Sequence, residues 1–255
     1  MDETKSNVLS KVPAVTLGFW IIKLFATTLG EIGGNAFSMS LNWGYLASTA
    51  ILAVIFVISV IAQIKATKFH PALYWFAIIA STTVGTTTAD LVTRDLGIGY
   101  SGGSVLLLFA VLATLAIWRF STGTISIGSV SSVKTELFYW LTITFSQTLG
   151  TALGDWFADT AGFGYLGSAF IFAIALLVLY ALHRFSGLSR PGIFWAAFIL
   201  TRPFGAVVGN LLDKSPAAGG MEINRFAASG VFLVLIAVMI LVFPQSPAIG
   251  DDTGQ

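Results

Sequence analysis

The chain has 255 residues, 56% of them hydrophobic and only 10% charged, with a mean hydropathy of +0.86 and a net charge of +1. Ordinary soluble domains carry about 25% charged residues, so the composition excludes them and reads as a polytopic membrane protein. No basic cluster points to nucleic acid, and the absence of cysteine removes disulfides, thiolate metal sites and cysteine nucleophiles together.

Eight apolar segments follow in chain order. The first, roughly Val15–Phe37, holds Trp20, Lys23, Gly30, Glu31, Gly34 and Asn35, and is too long and too polar for a cleavable signal. Tyr45–Ile61 is plainly apolar and approaches the ~20 residues that cross a bilayer. Ala72–Leu91 repeats the first segment with Trp75, Gly85, Ala89 and Asp90, and Val105–Trp118 is again plain. A stretch rich in Ser, Thr and Gly, 120–135, reads as a linker between two halves. Leu137–Asp155 then returns Trp140, Gly150, Gly154 and Asp155, and Gly164–Leu182 is plain. Ile193–Leu212 brings Trp195, Gly205, Gly209 and Asn210, and Phe226–Phe243 closes the series. In all four motif segments the glycine, the second small residue and the Asn/Asp keep the same distance from the Trp, so these are tandem repeats. Their expected bounds are 12–63, 71–119, 136–184 and 192–243, within one membrane domain spanning 1–255.

Two helices per repeat bring every repeat into the membrane from the same side, which makes the symmetry parallel rather than inverted. The expected fold is therefore an all-α integral membrane protein. Eight transmembrane helices form four parallel two-helix repeats, with polar motif (A) helices inside and apolar (B) helices outside. Lys5, Lys11, Lys65, Lys68, Arg119, Lys134, Arg184 and Arg190 fall on the side of the termini, against Arg94, Lys214 and Arg225 on the other. The positive-inside bias thus expects both termini in the cytoplasm and the chain in the cell inner membrane. Between Lys214 and Arg225 the fourth repeat replaces the tight Gly-x-Gly-Tyr type of turn seen at Gly97–Tyr100 and Gly162–Tyr165, as an outer lid or as drift.

On a helix, positions 4, 7, 8, 11, 15 and 18 beyond each Trp share one sector. That sector holds Thr27, Thr28, Glu31 and Asn35; Thr82, Thr83, Thr86 and Asp90; Gln147, Thr148, Thr151 and Asp155; and Arg202, Pro203, Asn210 and Asp213, with Lys23 on its flank. A stripe of this kind is expected to face the other A helices, while the glycines on its edge let backbones approach. Each charge near the bilayer centre costs at least ~2.5–3.5 kcal/mol on insertion scales, so Lys23, Glu31, Asp90, Asp155 and Arg202 are candidate functional groups. Carboxylates without thiols or clustered histidines suit protons or hard cations. Against this stands a structural reading. In it Asn35, Asn210, Asp90 and Asp155 bond neighbouring helices, Lys23, Glu31 and Arg202 form one ion-pair network, the Thr runs bond helix backbone, Arg94 and Asp95 pair outside the membrane, and the Trp residues anchor the interface. No P-loop, HExxH or nucleophile elbow is present, so no enzyme and no cofactor is expected.

The residues Val12–Lys23 and Thr27-Thr-Leu-Gly-Glu31, with Ser81-Thr-Thr-Val-Gly85, Gln147-Thr-Leu-Gly150 and the two Asp positions, resemble a bacterial family of uncharacterised membrane-anchored proteins. That family is built of four tandem two-helix repeats of unknown function, each marked by a tryptophan. The resemblance covers nearly the whole chain, and Arg202-Pro203 departs from it most. It implies an integral membrane protein with eight spans and no assigned activity. From the residues themselves, the leading expectation is a secondary transporter or exporter of a small cation, a divalent metal such as manganese or a proton-coupled ion. Glu31, Asp90 and Asp155 would be coordinating groups, with Lys23 and Arg202 as their charge partners and Asn35, Asn210, Thr27, Thr82, Gln147 and Thr151 lining the path. The alternative is a non-transporting sensor, anchor or regulatory protein whose charges only hold the bundle together. The partners expected are the lipid bilayer and a small cation, and no feature specifies an oligomer.

Overall fold

The computed structural model describes residues 10–249. Among them eight α-helices follow in order: α1 (Leu17–Asn35), α2 (Gly44–Lys65), α3 (Pro71–Asp90), α4 (Gly99–Thr122), α5 (Val133–Asp155), α6 (Gly164–Phe185), α7 (Arg190–Asp213) and α8 (Arg225–Val242). Local chemistry starts them. Thr16 Oγ1 accepts from the Phe19 amide ahead of α1, Ser132 and Thr135 form a reciprocal capping box on α5, and Pro71 occupies the first turn of α3. The odd-numbered helices are the motif helices, and the even-numbered ones are the plain helices.

After α1, α3 and α5 the chain widens into a five-residue π-helical turn, 36–40, 91–95 and 156–160, before a glycine with positive φ reverses it into the next helix. α7 has no such turn. The insertion after it folds back, and its Met221 and Ile223 amides donate to the Leu211 and Leu212 carbonyls that a helix end leaves open.

Helix α1 packs on α3, α3 on α5, α5 on α7, and α7 on α1, so the four motif helices close a ring. Each plain helix docks on the motif helix of the following repeat: α2 on α3, α4 on α5, α6 on α7, and α8 back on α1. Glycine makes the ring close. Gly30 lies against Thr82, Gly85 against Gln147, Gly150 against Arg202 and Gly205 against Thr27, so one repeat position always meets the same position of the next helix. The second small residue follows the same rule, with Gly34 against Thr86 and Gly209 against Glu31. Five helices, α2, α4, α6, α7 and α8, are long and apolar enough to cross a membrane, as a multi-pass membrane protein requires. α1, α3 and α5 fall short of that measure because their polar stripe lowers their hydropathy, and most of that stripe is buried inside the ring.

Candidate functional site

The repeat places equivalent residues of the four motif helices in successive layers along the ring axis. The first layer is aromatic. Phe19, Tyr74, Tyr139 and Phe194, each immediately before a Trp, are buried, and the Tyr74 and Tyr139 hydroxyls share a hydrogen bond of 2.6 Å. Each packs on the Trp of the next repeat: Phe19 on Trp75, Tyr74 on Trp140, Tyr139 on Trp195 and Phe194 on Trp20, with centroids 5.5, 6.0, 5.9 and 5.8 Å apart. The Trp residues are therefore not interface anchors. Trp75, Trp140 and Trp195 are buried and Trp20 is partly buried, because each is the outer half of an aromatic belt that closes this end of the ring.

Lys23, Ile78, Ile143 and Phe198 form the next layer, all with no exposure. Lys23 Nζ stands 3.9 Å from the centre of the Phe198 ring and has no hydrogen-bond partner among the described residues. Below it come Thr27, Thr82, Gln147 and Arg202, at the positions the glycines contact. Thr27 Oγ1 donates to the Leu24 carbonyl at 2.9 Å and Thr82 Oγ1 to the Ile79 carbonyl at 2.8 Å, each also lying near a carbonyl of the neighbouring ring helix. Their role here is backbone bonding, whereas the buried Gln147 amide has neither its oxygen nor its nitrogen paired.

Arg202 reaches towards the layer of Glu31, Thr86, Thr151 and Ala206. Its Nη2 lies 3.0 Å from Glu31 Oε2 and 2.6 Å from Thr86 Oγ1, and also bonds Thr151 Oγ1. Both hydroxyls lie near the same Glu31 oxygen, at 3.3 and 3.2 Å. Four helices thus converge on one nitrogen and one carboxylate oxygen, while Arg202 Nε and Nη1 are left without acceptors. Thr86 carries as much of this cluster as Thr151 does, although only Thr151 stood among the expected path-lining residues.

The last layer is Asn35, Asp90, Asp155 and Asn210, all buried. Arg94 Nε lies 2.8 Å from Asp90 Oδ1 and its Nη2 3.2 Å from Asp155 Oδ2. The pair expected outside the membrane, Arg94 with Asp95, is not formed: the π turn carries Arg94 back over the ring and leaves Asp95 exposed. Asn210 Nδ2 donates to Asp155 Oδ1 at 3.0 Å, and Asn35 Nδ2 to Asn210 Oδ1 at 3.1 Å and Asp213 Oδ2 at 3.0 Å. Arg225, delivered by the folded-back insertion, closes on Asp213 at 2.6 Å. Hydrogen bonds therefore run unbroken from Arg94 to Arg225, and Asp90 joins them through its ion pair with Arg94. The sequence signal for Arg94 and Asp213 was their place one turn beyond the Asn/Asp layer, whereas Arg225, at the start of α8, carried none.

Among the described residues no group of three or more His, Cys, Asp and Glu side chains is close enough to hold a metal ion, so Glu31, Asp90 and Asp155 do not form one ligand set. Glu31 belongs to Arg202, and the two aspartates share Arg94. A family model described as Repeat of Unknown Function (DUF347) matches the chain four times, at residues 18–69, 73–124, 138–188 and 193–243. No curated protein and no solved structure matches the chain.

Proposed function

Because the chain belongs to this family of tandem repeats, whose description carries no activity, we propose its function from the axis: a multi-pass membrane protein that transports a small cation between the four ring helices. In this reading all eight helices span the inner membrane with both termini in the cytoplasm. The ring forms the inner layer, and α2, α4, α6 and α8 face lipid. What supports it is the position of Arg202 Nη2. One carboxylate oxygen and two hydroxyl oxygens, from three different helices, surround it as they would surround a hard cation, and the guanidinium nitrogen stands in for that cation. Arg94 holds the equivalent place between Asp90 and Asp155.

A tethered cation of this kind keeps buried carboxylates compensated while the site is empty. An arriving ion displaces Arg202 from Glu31, Thr86 and Thr151. One carboxylate then faces three cationic groups, and Lys23, which has no hydrogen-bond partner to hold its proton, releases that proton, which offsets one unit of the arriving charge. The aromatic belt and the Asp90–Arg225 network close the two ends of the axis in turn, as alternating access requires.

The test is flux of manganese, magnesium and protons in proteoliposomes carrying the wild type, Glu31→Gln or Asp155→Asn. Wild-type exchange that falls at least tenfold in Glu31→Gln is expected; equal flux in wild type and both variants removes these residues from the mechanism. The complete engagement of every carboxylate on the axis favours the second reading, a non-transporting protein held together by these pairs. Wild-type vesicles that move no cation would establish it.

A further inference from the structure

The ring has four outer seats, one beside each repeated Trp, and the described residues fill three of them. Trp75 lies under the segment after α8, its Nε1 donating to Gln245 Oε1 at 3.4 Å while Phe243 presses on Gly18. Trp140 packs against Phe56 of α2, with centroids 6.3 Å apart. Trp195 packs against Trp118 of α4 at 5.7 Å, and its Nε1 donates to the Ile125 carbonyl at 2.9 Å.

The fourth seat, beside Trp20, has no such filler among the described residues. At the repeat position of Phe56, α6 offers the shorter Leu176, and at that of Trp118 it offers His183. His183 points out to the surface rather than in, and a groove of about 480 Å³ remains between α1, α6 and α7. This is the seam where the last repeat meets the first. Its walls are apolar, built by Trp20, Leu24, Leu179 and Phe194 among others. Its rim carries His183 and Arg190, and among the described residues no acidic one lines it. Arg190 is in no ion pair among the described residues, whereas Arg94, Arg202 and Arg225 are all in one.

We propose that this seam groove is a binding site for one anionic phospholipid, whose acyl chain replaces the missing aromatic filler and whose headgroup phosphate is held by Arg190 and His183. A long apolar trough that ends in an exposed, unpaired guanidinium and a second donor matches the two ends of such a molecule, and basic pockets at helix ends select anionic over zwitterionic headgroups. The inference rests on the membrane placement proposed above but not on transport. The lipid completes the belt at the one joint that the chain does not close covalently.

The experiment is native mass spectrometry of the full chain, extracted in mild detergent and offered phosphatidylglycerol or phosphatidylcholine. The wild type is expected to retain one phosphatidylglycerol about tenfold more tightly than phosphatidylcholine, a ratio equal to ~1.4 kcal/mol. Arg190→Gln is expected to bring the two lipids to parity. Ala197→Trp, which fills the groove, is expected to lose both while the helical circular-dichroism signal is kept. No headgroup preference in the wild type, or an unchanged preference in Arg190→Gln, overturns the proposal, and the second variant decides alone if the first does not fold. A dimer that disappears in Ala197→Trp also overturns it, by making a second copy the occupant. Lipid preference without flux would refute transport alone, and flux without lipid preference would refute the lipid site alone.

Discussion

Two glycines three residues apart in α1 separate ring closure from ordinary helix propensity. A Cβ added at Gly30 would run into the Thr82 hydroxyl and stand 2.9 Å from the Thr82 backbone carbon. The Thr82 Cβ is met as well, and neither it nor the backbone carbon can turn away, so α1 and α3 must part. A separation of ~0.5–1 Å forfeits a quarter to a half of each dispersion contact along the seam, and such overpacking costs ~1–3 kcal/mol. At Gly33 the same Cβ would meet nothing nearer than Thr83 Cγ2 at 3.8 Å, an ordinary contact. There alanine keeps its advantage over glycine inside a helix, ~0.5–1 kcal/mol. Gly30→Ala and Gly33→Ala should therefore differ by about 2–4 kcal/mol in opposite directions from wild type. Unfolding of the purified protein in mixed micelles with rising dodecyl sulfate, followed by circular dichroism, measures this directly. Two variants of equal stability would refute the ring of glycine contacts as the source of α1–α3 closure.

In the same assay Glu31→Gln and Arg202→Met should each cost ~3–5 kcal/mol, because each strands a buried charge, while the double variant recovers most of the loss. Purely additive losses would mean that the two side chains do not form the pair. Arg94→Gln should destabilise by leaving Asp90 beside Asp155 without a shared cation, and Asp155→Asn in that background should restore stability; failure of the second change to rescue the first would separate the two residues. Lys23→Met should gain stability, by at least ~2.5 kcal/mol on insertion scales, while abolishing proton-linked exchange. A stable variant with unaltered exchange removes Lys23 from the cycle. Tyr74→Phe should cost ~1 kcal/mol for the hydroxyl pair with Tyr139, and no change would indicate that water replaces it.

The repeat was legible because it is periodic in residue type: a Trp, two small residues and an Asn or Asp recur at fixed distances, and each distance maps to a helix face. The inward aim of the polar stripe followed from the same geometry. Three features were not legible, each for a physical reason. The Trp residues looked like interface anchors because a sequence does not reveal that the residue before each is aromatic in order to receive the next repeat's ring; that pairing exists only once successive motif helices pack into the ring. Arg94 was expected to pair with Asp95 because helical periodicity carries both past the end of the stripe, whereas the π turn adds a residue per turn and swings the exposed Arg94 back over Asp155. The loop before Arg225 gave no sign of ordering, since its backbone bonds to the Leu211 and Leu212 carbonyls depend on α7 ending without a π turn.

Fourfold repetition also limits what the axis can hold, and the limit explains why its charges break the repeat. Any side chain written identically into all four motif helices appears four times in one layer. Two like charges ~6 Å apart repel by about 3 kcal/mol at an effective dielectric of 20, and four of them multiply the pairs. A repeated layer must therefore be neutral or mixed. Thr suits it, since each hydroxyl can bond its own helix, and so do aromatic rings. Charge enters singly: Lys23 against Ile78, Ile143 and Phe198, and Glu31 against Thr86, Thr151 and Ala206, with the lone Arg202 reaching from the layer above to meet it. Where two acids do share a layer, Asp90 and Asp155, their other neighbours are Asn35 and Asn210, and one guanidinium lies between them. Among the described residues Lys23 alone of the axial charges has no oppositely charged partner, its Nζ resting against the Phe198 ring. Each other axial charge has an oppositely charged partner, whereas Lys23 has only a ring face, and for that reason the proposed cycle gives the proton to Lys23 rather than to a carboxylate.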